Sequence, residues 1–195
     1  VSTARVSHVI NNTRYVSEKV RKNVMNAIAE LDYTPSVVAQ SMRNQKTKII
    51  GLLIPIIDDE MSNIFFMRIS KGIEFVLKKN GYRLLLSNTN DDLDCEIEQI
   101  ESFNRQQIDG LIIAACPNDH SFFDDIVKDK YPAIFIDRKP EGISRDFVLS
   151  DGYGGSYDAV SYLISKGHKR IAVLSGLINW STGFERLEGY KKALA

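Results

Sequence analysis

Several side chains suited to binding a small polar molecule follow the apolar runs in the second part of the sequence. The set consists of Phe65, Phe66, Asp137, Asp151, Trp180, Thr182 and Arg186. Aromatic faces stack on the C–H faces of sugar rings, while carboxylate, hydroxyl and guanidinium groups fix the ring hydroxyls. The residue types therefore predict a site for a sugar-like molecule. Ordinary packing and surface ion pairs are the alternative, above all for the adjacent phenylalanines, which at a helix start more often belong to a core.

A second group of side chains, near the amino-terminal end, suits contact with nucleic acid. Short donors, acceptors and methyl groups can approach base edges in the major groove, whereas small polar and cationic groups suit phosphate oxygens. We assign base edges to Thr3, Ala4 and His8, and phosphate oxygens to Ser7, Asn11 and Arg14. An ordinary polar helix face is the alternative interpretation.

Two short helices are predicted to carry this second group. Ser2 is the expected N-cap of the first helix, whose apolar face contains Val6, Val9 and Ile10. Ser17 is the expected N-cap of the second helix. Its predicted core stripe consists of Val20, Val24, Ala27, Ile28 and Leu31.

The charge of the chain is divided unevenly between its two parts. Residues 1–48 carry eight Lys and Arg against three Asp and Glu, while residues 49–195 carry seventeen against twenty-two. A basic segment joined to a mildly acidic body is the charge pattern of a protein that attaches to phosphates. Charge alone is weak support, because many basic segments are simply solvated faces.

The sequence after Lys48 alternates short apolar runs with longer amphipathic segments. The predicted strands are KIIGLLI, YRLLLSN, DGLIIAA, PAIFID and RIAVLS, with helices near 62–80, 93–107, 119–130 and 152–166. The strand runs are apolar without alternation, which indicates a parallel sheet covered on both faces. Ligands of such sheets bind beyond the carboxyl ends of the strands, where the first group of side chains is expected.

The order of these motifs resembles the lactose/galactose-repressor family of bacterial transcription regulators. The resemblance is carried by VSTARVSHVINN, VSEKVRKNVMNAIAELDYTP and SVVAQSMRN in the first part. In the second part it is carried by DDEMSNIFFMRISKGIE, IDGLIIAA, FIDRKP, SDGYGGSYDAVSYLISKGHKRIAVLSG and STGFERLEGYKKAL. It extends over essentially the whole chain.

The resemblance implies four regions along the chain. They are a partial helix-turn-helix headpiece at 1–34, a hinge at 35–48, a first subdomain of a periplasmic-binding-protein-like doubly wound α/β core at 49–150, and the truncated start of a second subdomain at 151–195. It also implies that the first headpiece helix and most of the second subdomain are missing from this fragment. In the hinge, Ala39 and Met42 are expected to contact DNA, with Met42 wedged into the minor groove.

The resemblance also implies roles for the first group of side chains. In the implied pocket, Phe65 and Phe66 form the wall on the side of the first subdomain, and Asp137 and Asp151 form the polar floor. Trp180, Thr182 and Arg186 become the side that the second subdomain contributes. Purine-sensing relatives have a basic side chain where this sequence has Trp180, which favours a sugar over a nucleobase.

The function expected from the resemblance is a homodimeric, cytoplasmic repressor that binds double-stranded operator DNA under the control of a small effector. The alternatives are a sugar-binding receptor without DNA function and an α/β enzyme. Against an enzyme, the sequence has no GxxxxGK[ST], GxGxxG, HExxH or GxSxG motif. Its two cysteines are far apart, and neither a cofactor, a metal nor a membrane segment is predicted.

Overall fold

The computed structural model describes residues 1–33, 46–57, 60–116, 119–127 and 130–195, without the side chains of Asn11 and Ser62. The predicted hinge contacts Ala39 and Met42 lie outside these residues. The chain divides into two compact units, Val1–Thr47 and Lys48–Ala195. The resemblance divides the chain into four regions instead of two units, and those four regions stay predictions.

The amino-terminal unit contains two helices, α1 (Thr3–Asn11) and α2 (Glu18–Glu30). They begin directly after Ser2 and Ser17, as predicted, although neither serine side chain makes a capping hydrogen bond. Asn12 ends α1 in the left-handed conformation with φ of 51°. The small core of this unit is formed by Val9, Val16 and Val24, with Val6, Val20 and Ile28 packed against it.

Two members of the predicted core stripe of α2 are exposed. Leu31 keeps 76% of its surface accessible, and Ala27 is also exposed. Both border an apolar groove of about 440 Å³ that Val6, Ile10 and Tyr33 also line. The prediction was wrong for these two residues because the apolar stripe of α2 is wider than the face that α1 covers.

The second unit is built on one parallel sheet. Its strands are β1 (Ile49–Ile54), β2 (Arg83–Asn88), β3 (Gly110–Ile113), β4 (Ala133–Ile136) and β5 (Asp146–Val148), in the order β2-β1-β3-β4-β5. All neighbouring strands are parallel. Four of the five predicted strands are thus confirmed within a residue or two of their bounds.

Helices follow the strands along the chain. They are α3 (Glu60–Lys79), α4 (Leu93–Arg105), α5 (Phe123–Val127), α6 (Gly152–Ser165) and α7 (Ser181–Leu194). The first four confirm the predicted helices, although α5 is shorter than expected. No helix among the described residues is both long and apolar enough to span a lipid bilayer.

The sheet is covered on both faces, as the unbroken apolar runs predict. Leu53 of β1 points into a core with Ile100 and Phe103 of α4 and Phe123 of α5. Its neighbours Leu52 and Ile54 belong to a second core, which includes Phe66 of α3. Because successive side chains of a strand point to opposite faces, a sheet with two such cores is doubly wound.

The predicted strand RIAVLS at 170–175 is absent from the described residues, and that prediction was wrong. These residues form neither strand nor helix, and Leu174 is fully exposed. A strand needs a neighbour for its backbone hydrogen bonds, and the described residues place none beside this segment. The strand that pairs with β4 is instead β5, from the segment that precedes Asp151.

Candidate functional site

Asp137 lies directly beyond the carboxyl end of β4 and is partly buried. Its backbone has φ of 64°, and its N–H donates to the carbonyl oxygen of Val148 at 3.0 Å. Burial raises the pKa of the Asp137 carboxyl group, while the positive charges of Arg138 and Arg186 oppose that rise. This carboxylate is therefore held in a partly dry place beside two guanidinium groups.

Arg138 is the main buried cation at this edge of the sheet, with 5% of its surface accessible. Its Nη1 atom donates to the carbonyl oxygen of Ala115 at 3.1 Å and to the carboxylate of Asp91. Its Nε atom lies 3.8 Å from Oδ2 of Asp137 and makes no hydrogen bond within the described residues. Arg138 thus ties together the ends of β2, β3 and β4.

Trp180 brings an aromatic ring to the same place. The guanidinium carbon of Arg138 lies 3.8 Å from the centroid of its ring. The next residue, Ser181, accepts a hydrogen bond at its Oγ from the backbone N–H of Lys139, at 3.0 Å. Arg138, Trp180 and Ser181, together with Cys116 and Phe184, line a cavity of about 610 Å³.

A second cavity, of about 450 Å³, lies at the start of α6. It is lined by Ser150, Asp151, Ser175, Arg186 and Leu187, among others. Asp151 caps α6, because its Oδ1 accepts a hydrogen bond from the N–H of Gly154 at 2.7 Å. The exposed side chain of Arg186 is thus brought near two of the predicted carboxylates, those of Asp137 and Asp151.

The other three predicted effector contacts, Phe65, Phe66 and Thr182, lie on the helices α3 and α7. Phe65 is 46% exposed, whereas Phe66 is 2% exposed and packs in the core with Leu52 and Ile54. The two rings meet edge to face, with centroids 5.2 Å apart. Thr182 is half-buried in the first turn of α7. The effector roles of all seven residues stay predictions.

Sequence reasoning missed a buried polar cluster behind the first cavity. Glu96, His120 and Thr89 are fully buried there, close to Cys116. Burial and the nearby Glu96 carboxylate raise the pKa of the Cys116 thiol, which makes a thiolate nucleophile unfavourable. The one signal in the sequence was position, since Thr89 and Cys116 directly follow strands.

The predicted DNA-reading face of α1 has its own local hydrogen bonds. Nδ1 of His8 lies 2.9 Å from Oγ1 of Thr13, and Arg21 donates to Oδ1 of Asn12 at 3.1 Å. Thr3, Ala4 and Arg14 are exposed, while Ser7 and His8 are half-buried. The DNA contacts stay predictions, and the side chain of Asn11 lies outside those described.

No group of three or more His, Cys, Asp or Glu side chains arranged to hold a metal ion occurs in the described part of the chain. The ion pairs of the site are instead between Arg138 and its two aspartates. Its chemistry is that of recognition by charge, hydrogen bonds and an aromatic face.

Two family models match the chain. Residues 1–36 match the model described as bacterial regulatory proteins, lacI family. Residues 47–195 match the model described as periplasmic binding proteins and sugar binding domain of LacI family.

A curated relative agrees with the two family models. The ribose operon repressor of Haemophilus influenzae is 36% identical over 196 residues, which cover all of this chain and 57% of that protein. The chain therefore spans little more than half the length of the curated relatives that it matches.

Solved structures extend the similarity to the fold. The lac repressor dimer bound to operator and the anti-inducer ONPF has a TM-score of 0.84 at 25% identity, covering all of this chain and 58% of that one. The Cra transcriptional dual regulator of Pseudomonas putida in complex with fructose 1-phosphate has a TM-score of 0.65 at 26% identity, covering 75% and 53%.

Proposed function

The chain belongs to the LacI family of bacterial regulatory proteins, and from this we propose that it is part of a transcriptional repressor that binds operator DNA under the control of a small, sugar-like effector. One observation carries the proposal: the same chain contains a basic two-helix unit and an α/β unit, and in the α/β unit an aspartate, two arginines and a tryptophan lie close together beyond the strand ends.

The DNA-binding part of the proposal is supported by the surface of α1. Thr3 and Ala4 are exposed at its amino-terminal end, where a recognition helix presents its residues to the major groove. His8 lies about a turn further along the helix and is oriented by Thr13. The relative from Haemophilus influenzae is named a repressor, which agrees with this assignment.

The effector part of the proposal is supported by the residues around Asp137. A carboxylate close to two arginines, one of which stacks on an indole, provides acceptors, donors and a stacking face for a polyhydroxylated ring. Two relatives point to sugars, since one is named for a ribose operon and another was solved with fructose 1-phosphate. We propose that Asp137 and Arg186 bind hydroxyl groups and that Trp180 stacks on the ring.

We further propose that the protein acts as a homodimer, with the outer side of α3 in the interface. Ile64 and Met67 of α3, with Leu84 and Leu86 of β2, supply the mostly apolar surface of a groove that Arg68, Lys71 and Glu74 also line. Because β2 is the edge strand of the sheet, this apolar surface continues to the margin of the unit. Exposed apolar patches of this kind are typical of protein interfaces.

Effector control then follows from linkage between the two sites. An effector that binds one arrangement of the core more tightly shifts the dimer toward that arrangement and changes the placement of its two DNA-reading units. A symmetric dimer reads a pseudo-palindromic site, one half for each unit. A cytoplasmic location belongs to the same proposal.

The two alternatives have less support. A sugar-binding receptor without DNA function leaves the match of residues 1–36 to the lacI regulatory model unexplained. An α/β enzyme is disfavoured because the relative from Haemophilus influenzae and the two solved structures compared with the chain are named as regulators.

Selection from a pool of random-sequence duplexes at several salt concentrations tests the DNA-binding function of the full-length protein. We expect a palindromic consensus whose binding changes when a sugar is added. Sequence-blind binding that is only sensitive to salt would contradict the proposal. A thermal-shift screen of sugars and sugar phosphates then identifies the effector, because a ligand of the folded state raises its Tm.

Sedimentation of the Met67→Asp variant tests the proposed interface. We expect a weaker dimer than in the parent protein, because the substitution places a charge in the apolar groove. Tyr162→Ser is the matched control, since Tyr162 of α6 is 62% exposed and lies outside this groove. Equal dimer affinities for the parent and the Met67 variant would exclude α3 from the interface.

A further inference from the structure

Arg138 is fixed to the sheet before it meets Trp180. Its guanidinium group is bound by the Asp91 carboxylate after β2 and by the Ala115 carbonyl oxygen after β3, the latter at 3.1 Å. With 5% of its surface exposed, Arg138 has little freedom to adopt other rotamers. It is therefore a rigid part of the carboxyl edge of the sheet.

Trp180 belongs to the loop before α7 and rests on this fixed cation. The 3.8 Å distance between the guanidinium carbon and the ring centroid is that of direct stacking, so one face of the indole is covered. The hydrogen bond from the Lys139 N–H to Ser181 Oγ, at 3.0 Å, holds the adjacent backbone in place. Arg138 and Lys139, which follow β4, thus position Trp180 and Ser181, where α7 begins.

We propose that Arg138 is the positioning residue for Trp180, so that an effector stacks only on the opposite face of the indole and its binding is transmitted to the sheet through Asp91 and Ala115. This inference rests on the proposed effector site. Arg138 is not itself assigned as an effector contact, because its charge is already paired with Asp91 and Asp137.

The stacked guanidinium also restricts the class of ligand. An aromatic face attracts cations through its negative quadrupole, and a cation already bound on one face weakens that attraction on the other. A ligand with an ammonium group is therefore disfavoured at Trp180. A neutral or anionic sugar is compatible with the stacked arginine, and it leaves Arg186 and the Oδ1 atom of Asp137 for hydroxyl groups.

Trp180 provides its own probe, because it is the only tryptophan in this chain. We would measure quenching of its fluorescence by acrylamide in the parent chain and in Arg138→Leu, Asp91→Asn and Arg138→Lys variants. The quenching constant is expected to rise about twofold in the first two, since a second face of the indole becomes accessible, and less in Arg138→Lys, which keeps the charge. Lys166→Gln is the control with no expected change, because its ammonium group lies over the ring of Tyr162 instead.

Circular dichroism identifies which variants are folded. If Arg138→Leu does not fold, Asp91→Asn carries the test, because the neutral amide keeps the shape of the side chain while removing the charge that anchors Arg138. An unchanged quenching constant in every folded variant of Arg138 and Asp91 would overturn the proposal.

Titration of the full-length protein, and of the same variants made in it, with the sugar panel separates this inference from the proposed function. We expect the folded variants to bind the active sugar about tenfold more weakly than the full-length parent, with partial recovery in Arg138→Lys. If quenching changes but no sugar binds the parent, the positioning stands and the effector assignment fails. If sugar binds the parent and Arg138→Leu equally, with unchanged quenching, the effector assignment stands and the positioning fails.

Discussion

The Nε2 atom of His120 lies 2.6 Å from Oε1 of Glu96, and both side chains are completely buried. The second carboxylate oxygen of Glu96 accepts a hydrogen bond from the N–H of Cys116 at 2.8 Å. Glu96 belongs to the first turn of α4, whereas the other two residues belong to the loop after β3. The pair therefore holds Cys116 and His120 in place beside the cavity of about 610 Å³ that Cys116 and Asp119 line.

Removing the Glu96 carboxylate is expected to destabilise the second unit strongly. Glu96→Ala leaves a buried imidazole and a buried backbone N–H without their acceptor, which costs about 3 kcal/mol for a pair of this kind. Glu96→Gln keeps the shape and is expected to be less damaging. Urea unfolding followed by circular dichroism measures both variants.

The exposed pair formed by Glu101 and Arg105 on the same helix is the matched control. Their charged atoms lie 3.9 Å apart, and the two side chains are 56% and 68% exposed. Exposed pairs contribute little, so Glu101→Gln is expected to unfold at the same urea concentration as the parent chain. Equal midpoints for Glu96→Ala and Glu101→Gln would show that the buried pair does not stabilise the fold.

Asp137 is expected to reduce stability at neutral pH. Burial raises the pKa of the Asp137 carboxyl group in the folded state. The stability that the protonated group contributes is therefore fully present below the pKa of the unfolded state, and it is lost as the pH rises through the pKa of the folded state. Asp137→Asn removes this dependence. We therefore expect its Tm to equal that of the parent chain in acid and to exceed it at pH 7, while affinity for the effector falls.

Asp151→Asn is the comparison for this pH dependence. Asp151 is exposed, and its side chain caps α6 by accepting the Gly154 N–H, a bond that the Asn oxygen can also accept. Its Tm is compared with that of the parent chain at the same pH values, which measures the effect of a carboxylate-to-amide change at an exposed helix cap. A Tm difference for Asp137→Asn that does not grow from acid to neutral pH would contradict the assigned cause.

Most of the sheet could be predicted from sequence because its strands are unbroken apolar runs. The exceptions show what such runs omit. Residues 170–175 have the same composition as a strand, but pairing requires a neighbouring strand, which the described residues do not place there. Residues 146–148 form β5 with only partial burial, because hydrogen bonding to β4 compensates for their weak apolar pattern.

The candidate site could be predicted only where chain position is informative. Asp137 directly follows a strand, so the sheet rule places it at the ligand edge. The burial of Glu96 and His120 depends on the packing of a helix against a loop after β3, and no local pattern encodes that contact. Phe66 packs in the core, as the alternative interpretation of the two adjacent phenylalanines expected, and its role as a pocket wall stays a prediction.

Gly189 is expected to be essential to the packing of α6 against α7. A Cβ atom at this position would lie 2.2 Å from the carbonyl oxygen of Tyr153, which belongs to the α6 backbone and cannot rotate away. Gly189→Ala is therefore expected to separate the two helices and cost about 1–3 kcal/mol, the range for overpacked sites. Urea unfolding measures the loss.

Gly155→Ala on α6 is the control for Gly189→Ala. A Cβ atom at Gly155 meets nothing within 4 Å, so alanine there adds helix propensity without a clash. We expect this variant to be more stable than the parent chain by about 0.5–1 kcal/mol. If both alanine variants shift stability in the same direction, close backbone approach does not explain the glycine at 189.

Thr13 is expected to determine how His8 reads DNA. Its Oγ1 atom lies 2.9 Å from Nδ1 of His8, which leaves Nε2 as the ring nitrogen available for a base edge. In the full-length protein, Thr13→Val is expected to relax the preference at one base pair of each half-site and weaken binding about tenfold, since one direct contact is worth about 1–3 kcal/mol. Thr13→Ser keeps the hydroxyl group and is expected to retain the preference. A consensus that is identical for Thr13→Val and the parent protein would show that His8 does not depend on this hydrogen bond.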